Sequence, residues 1–423
     1  MKRRNLLSIG AAVAAAAPLA ACGGGDDDTS TSGPVTLTVS VWNLSATPEF
    51  QALFDAFTKA NPDIKIQPVD ILAADYPTKV TTMLAAGDKT DVITMKNVID
   101  YARYASRGQL KDLTASAKSE NGAKLAGLDA LKQEGDKYYA LPYRQDFWVL
   151  YYNKKYFSAA NLPSPENLTW DQYVELAKKL TAGAGENKVY GTYHHTWRSV
   201  VQAISAAQTG GDQLGGDYKF FADQYRTALA LQDAGSTLSF STAVTQKTGY
   251  ASMFETGKTA MLPMGTWYIA KILSEKKKGT TDADWAIAPM PQRTDAAGKT
   301  ITFGSPTAFA VNKNAKNSAA AQKFVEFAAG PEGAKAIAAI GIVPALLDDA
   351  TRTAYFALPG MPTDELSKKA FKPDTVNLEM PVSDKTSKID TILNEEHQLI
   401  MAKEKSVDDG IKEMESRVKN EVN

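Results

Sequence analysis

The chain holds three histidines, His194, His195 and His397. Adjacent side chains on a regular element point apart, so His194 and His195 cannot converge on one metal ion. A satisfied or ligand-touching pair is the better reading. The zinc-protease motif of two histidines flanking Glu-x-x is absent, as is the Gly-x-Ser-x-Gly elbow of the α/β-hydrolases. Gly257-Lys258-Thr259 imitates the end of a phosphate-binding loop. The place of that loop's first glycine holds Ser252, however, and a helix-like segment precedes it. We therefore read it as a helix turn with a surface lysine. Lys276-Lys277-Lys278, followed by Gly279, reads as a solvated turn. Carboxylates are too numerous for any pair to stand out, which leaves a hydrolase open.

The six tryptophans say more. Trp42 ends a strand-like run, Trp197 lies in Tyr193-His194-His195-Thr196-Trp197, and Trp267 lies in Met264-Gly265-Thr266-Trp267-Tyr268. All three fall at strand ends or turns, whereas Trp148, Trp170 and Trp285 fall within strands or at a helix start. An indole face is flat, rigid and apolar, and it packs on the C–H face of a pyranose while Asn, Asp, Arg and His satisfy the hydroxyls. Each tryptophan alone would serve equally as core filler. Several loop aromatics together favour a sugar-type cleft.

Alternating strands and helices must position these residues. Val35-Thr36-Leu37-Thr38-Val39-Ser40-Val41 alternates apolar and polar side chains, a strand. Thr47 precedes Pro48 as a helix cap, and Phe50, Leu53, Phe54 and Phe57 form one helical stripe that Asn61-Pro62 ends. Ile64-Lys65-Ile66 is a second strand; Val80, Met83 and Leu84 mark a second helix ended by Gly87; Asp91–Met95 is a third strand. This βαβαβ order implies a parallel sheet flanked by helices, with ligands beyond the carboxyl ends of the strands, at Trp42-Asn43 and Met95-Lys96. Phe147–Tyr152 reads as a buried strand. Thr169 and Gln172 form a capping box before the stripe Tyr173, Leu176, Ala177 and Leu180. Ser406 opens a last amphipathic helix carrying Val407, Ile411, Met414 and Val418.

Composition narrows the function classes. The 423 residues are 44% hydrophobic and 22% charged, with 47 basic against 48 acidic side chains. That supports a large globular body, excludes pervasive disorder, and gives nucleic-acid phosphates no basic stripe to bind. A single cysteine excludes a disulfide scaffold. Lys2-Arg3-Arg4, then the Ala-rich run Leu6–Leu19, reads as a secretory signal too short to span a membrane. Arg3-Arg4-Asn5-Leu6-Leu7 has a weak likeness to a twin-arginine signal. Leu19-Ala20-Ala21-Cys22 resembles the bacterial lipoprotein box, so residues 1–21 are expected to be removed and Cys22 lipidated. Residues 22–33 then form a flexible tether spanning roughly 20 Å.

Nine short runs in order resemble the extracellular solute-binding proteins of ABC importers, in the carbohydrate-binding branch that includes maltose-binding protein. They are Leu37–Trp42; Asn61–Ile66; Leu84–Gly87 with Asp91-Val92; Ala140–Tyr143 with Val149–Phe157; Thr169–Asp171; Gly257–Met261 with Gly265–Trp267; Ala288–Pro291; Phe324–Phe327; and Gly341–Pro344. The resemblance implies a two-lobed α/β periplasmic-binding-protein fold, each lobe a mainly parallel sheet flanked by helices. Lobe 1 would be 34–143 and 305–345, lobe 2 would be 147–303 and 346–423, with a hinge near 143–147, 303–305 and 344–346.

It also implies binding without catalysis, no cofactor and no metal. The partners would be a small-molecule carbohydrate, ABC permease subunits and, through the lipid on Cys22, a membrane; the chain would be a monomer on the outer face of the cytoplasmic membrane or in the periplasm. Trp267 is the foremost ligand residue it implies. Gly265 forms its turn; Trp42, Asn43, Lys96, Tyr143, Arg144, Asp146, His194, His195 and Trp197 line the cleft; Gly304 and Ser305 offer backbone donors. Some relatives stack an aromatic where Met95-Lys96 stand here. A polyol, a phosphorylated polyol or a peptide is the alternative ligand, and a secreted polysaccharide hydrolase the alternative class.

Overall fold

The computed structural model describes residues 34–296 and 298–422. The expected signal, Cys22 and the tether through residue 33 lie outside the described residues. Among the described residues no helix is long and apolar enough to cross a membrane.

The strands are β1 (Val35–Trp42), β2 (Ile64–Ile71), β3 (Val92–Met95), β4 (Leu141–Asn153), β5 (Tyr190–Thr192), β6 (Thr259–Gly265), β7 (Trp285–Ala288), β8 (Ile301–Val311) and β9 (Thr375–Leu378). Their order is β2-β1-β3-β8-β4-β6-β5, with β7 beside β4 and β9 beside β8. The pairs β1–β2, β1–β3, β5–β6 and β8–β9 run parallel; β3–β8, β4–β6, β4–β7 and β4–β8 run antiparallel. The alternation of β1 buries Leu37, Val39 and Val41 completely. The stripe Phe50, Leu53, Phe54 and Phe57 of α1 (Pro48–Ala60) packs into the same core. α2 (Tyr76–Ala85) and α3 (Val98–Ser106) cover it further, and the Tyr76 hydroxyl donates to the Thr94 carbonyl at 2.9 Å.

The apolar side chains form two cores. One gathers Leu37 through Tyr143, Ala308 through Val311 and the helix Ser318–Ala329. The other gathers Phe147 through Phe303 and the chain from Tyr355 to Val418. The changeover follows strand pairing. β4 pairs with β8 from Leu141 to Phe147, then with β6 from Trp148 to Tyr152. Beside it run Gly304–Thr307 of β8 and the segment at Val343–Ala345, where Gln145 N donates to Val343 O at 3.2 Å and Ala345 N to Tyr143 O at 3.0 Å. Two strands and one bridged segment, side by side, thus carry the chain between the cores. Gly304 is required there, because a Cβ would stand 2.0 Å from the Asp146 carbonyl oxygen.

Two local readings differ in detail. Thr47 does occupy the cap position of α1, but its hydroxyl donates to Trp42 O at 3.0 Å, which ties the helix start to the end of β1. Lys276-Lys277-Lys278 form the last turn of the helix Tyr268–Lys278 and not a free turn; Gly279 adopts φ 71° after it. Cations there complement the helix dipole. The Thr169–Gln172 capping box and the Ser406 cap are both present. Gly257-Lys258-Thr259 is the turn between the helix Tyr250–Glu255 and β6.

Candidate ligand-binding cleft

A cleft of about 800 Å³ is lined by side chains from both cores. One wall comes from strand ends and first helical turns: Trp42 ending β1 and Asn43 after it, Thr47 to Glu49 opening α1, and Lys96 to Ile99 opening α3. The base is Arg144, Asp146 and Trp148 of β4 with Ser305 and Thr307 of β8. Both sets are spaced by two residues, so each projects from one face of its strand. The far wall carries Trp197 to Ser199, Tyr250, Trp267, Lys271, Glu379 and Asp390.

The far wall is aromatic. Trp148 and Trp267 meet edge to face at 5.8 Å, Trp197 and Trp267 lie 6.3 Å apart, and Tyr250 lies 5.9 Å from Trp197. Trp197 remains 42% exposed although it is large and apolar. Its back is held by the His195 ring at 4.5 Å, and Gly265 leaves room for Trp267, since a Cβ there would stand 1.9 Å from the indole. Opposite, Trp42 packs on Phe50 and Tyr76 at 4.9 and 5.3 Å, and the Lys96 ammonium lies 5.5 Å from the centre of its ring. Lys96 Nζ also donates to Ala73 O at 2.6 Å. Burial holds its pKa below the usual lysine value.

The base is charged. Arg144 Nη1 donates to Glu49 Oε1 at 2.8 Å. Its Nε lies 3.1 Å from Asp146 Oδ2, an ion pair without hydrogen-bond alignment. The Thr266 hydroxyl donates to Asp146 Oδ1 at 3.0 Å. Burial raises both the Glu49 and Asp146 carboxyls above their ordinary values, against the pull of Arg144. Burial disfavours the charged Arg144 as well, but Asp146, Tyr143 and Glu49 outweigh it and keep the guanidinium protonated.

Of the residues expected at the site, Trp42, Asn43, Lys96, Arg144, Asp146, Trp197, Trp267 and Ser305 line this cleft. Tyr143, His194, His195, Gly265 and Gly304 are not among the lining residues. Tyr143 turns into the first core and stacks on Phe309 at 4.6 Å. His194 is buried with Nε2 3.1 Å from the Tyr173 hydroxyl. His195 buttresses Trp197, while Gly265 and Gly304 make room for neighbours. Trp148, which reads as strand interior, does line the cleft. So do Glu49, Arg198, Tyr250, Glu379 and Asp390, which sequence reasoning missed. Alternation along β4 would have found Trp148; Glu379 and Asp390 are brought in from far along the chain.

The chain belongs to the bacterial extracellular solute-binding protein family, whose model matches residues 43–335. The structure of a sugar transporter from Rhizobium etli, in an open conformation, superposes with a TM-score of 0.77 at 38% identity, covering 91% of this chain and 99% of that one. A multiple sugar-binding protein of Streptococcus mutans is 24% identical over 288 residues, 64% of this chain. A mannitol-binding protein of Pseudomonas aeruginosa is 28% identical over 151 residues, 35% of this chain. The chain spans 65% of the length of the Streptococcus protein and 34% of that of the Pseudomonas protein. The architecture is the two-lobed periplasmic-binding-protein fold.

Proposed function

We propose that the chain captures a carbohydrate between its lobes and delivers it to the permease of an ABC importer, without chemical turnover. One observation carries this reading. Trp197, Trp267 and Tyr250 gather on one wall, backed by the buried Trp148, of a cleft whose base presents Arg144 and Asp146 beside Glu49. Flat rings take up the C–H face of a sugar, and fixed carboxylates take up its hydroxyl protons. The lobes are 34–143 with 305–345 and 147–303 with 346–423, flexing where β4, β8 and residues 344–346 cross. Ligand bridging both walls favours the closed form by its greater affinity for that form. The protein acts as a monomer held to the envelope by lipid on Cys22.

A polyol ligand is the second reading, supported by similarity to the Pseudomonas mannitol-binding protein. A thermal-shift panel of mono- to tetrasaccharides and polyols, run beside product chromatography, tests the proposal. Expected is stabilisation by one ligand class, about 2.7 kcal/mol at a hundredfold excess over Kd, with no product. Product formation would replace binding with hydrolysis. Cys22→Ala should move the protein out of the membrane fraction; retention there would remove the anchor.

A further inference from the structure

We infer that the cleft accepts an uncharged or amine-bearing polyhydroxy solute and rejects its acidic and phosphorylated analogues, because both arginines lining it are enclosed by the protein's own acceptors in two groups with excess carboxylate. The inference rests on the carbohydrate reading and narrows it.

The first group is Arg144 between Glu49 and Asp146. Its contacts are 2.8 and 3.1 Å, and Arg144 is 9% exposed. The second lies on the far wall. Arg198, 7% exposed, donates through Nε to Asp390 Oδ1 at 2.7 Å and through Nη1 to Gln202 Oε1 and Gln213 Oε1, both at 3.0 Å. Glu379 adjoins it: the Ser199 hydroxyl donates to its Oε1, and Gln213 Nε2 donates to its carbonyl at 2.7 Å. Each group therefore sets two carboxylates against one guanidinium, and Glu49, Asp146, Glu379 and Asp390 all line the cleft.

The other cations on the lining are also occupied. Lys96 Nζ is bonded to Ala73 O and lies over Trp42. Lys271 Nζ lies 3.9 Å from Glu255 and 4.0 Å from Glu275. A phosphate or carboxylate entering here would have to break a guanidinium from its partners or lie beside like charge. A hydroxyl or ammonium meets the opposite situation. Arg198 Nε donates to Asp390 Oδ1, and Asp390 lines the cleft, where its carboxylate can also accept from a proton donor.

The test is titration calorimetry at pH 7 with neutral, amine and anionic forms of the same scaffolds: glucose, galactose and mannitol; glucosamine and galactosamine; glucuronate, galacturonate, glucose 6-phosphate and mannitol 1-phosphate. On every scaffold that binds, the neutral or amine form should bind at least tenfold tighter than the anionic one. Glu379→Gln, which keeps the acceptor for Ser199, should narrow that ratio. Anionic forms binding as tightly as neutral ones would overturn the inference and leave the carbohydrate reading standing. Binding by none of these scaffolds, with the wider saccharide panel also silent, would overturn both.

Discussion

Arg144 Nη1 stands 2.8 Å from Oε1 of Glu49, joining the strand that runs between the two cores to the first turn of α1. Both side chains are almost wholly buried. Truncating one partner of such a pair leaves the other charge desolvated, at a cost of about 3–5 kcal/mol. Glu49→Ala should lower the urea midpoint accordingly, and Glu49→Gln should cost less because it keeps an acceptor. Equal midpoints for wild type and Glu49→Ala would show that the pair is not a structural tie.

Trp267→Ala removes the central ring of the aromatic wall. A buried aromatic anchor of this kind is worth about 2 kcal/mol or more, roughly a thirtyfold loss of affinity. Calorimetry should record that loss while the melting temperature of the unliganded protein changes little. Unchanged affinity would take Trp267 out of the site.

Gly265→Ala tests the same ring without deleting it. The new methyl carbon would lie 1.9 Å from the indole, so Trp267 must move. About a tenfold weakening, or 1.4 kcal/mol, is expected with Trp267 intact. Wild-type affinity would mean that the orientation of the ring is immaterial.

Buried histidines give stability a definite pH slope. Burial lowers His194 to about 4 and His397 to about 3, whereas an exposed histidine titrates near 6.5. Between those values the unfolded chain binds protons that the folded chain does not. The stability they contribute is therefore complete above about pH 6.5 and falls as pH drops toward 4, by up to about 1.4 kcal/mol per pH unit for each group. Glu49 and Asp146, raised by burial, act in the opposite sense above their ordinary values. Urea midpoints between pH 7.5 and 5 should fall more steeply for wild type than for His397→Gln. Parallel curves would show that His397 does not contribute to the slope.

The first strands and helices were legible because their patterns are local. β1 alternates, the stripe of α1 repeats at helical spacing, and Asn61-Pro62 ends it where expected. The positions of Trp42 and Lys96 were legible for the same reason: Trp42 ends β1 and Lys96 follows β3, and both line the cleft. β4 was read less well. Period two puts Arg144, Asp146 and Trp148 on one face and turns Tyr143 away, and the register shift between Pro142 and Arg144 completes that turn. Tyr143 therefore packs into the first core, while Trp148, buried in the second core as its place within a strand implies, also borders the cleft. His194 and His195 share a segment with Trp197, but Tyr173 draws the first inward and Trp197 covers the second. Glu379 and Asp390 carry no local signal, because only tertiary folding brings them beside Arg198 and Ser199.

Small-angle scattering of the chain, titrated with the sugar that stabilises it most, tests the account most directly. Two lobes closing on a solute predict a smaller radius of gyration at saturation, following the same binding curve as calorimetry. A radius unchanged at full occupancy would contradict capture by closure of the cleft.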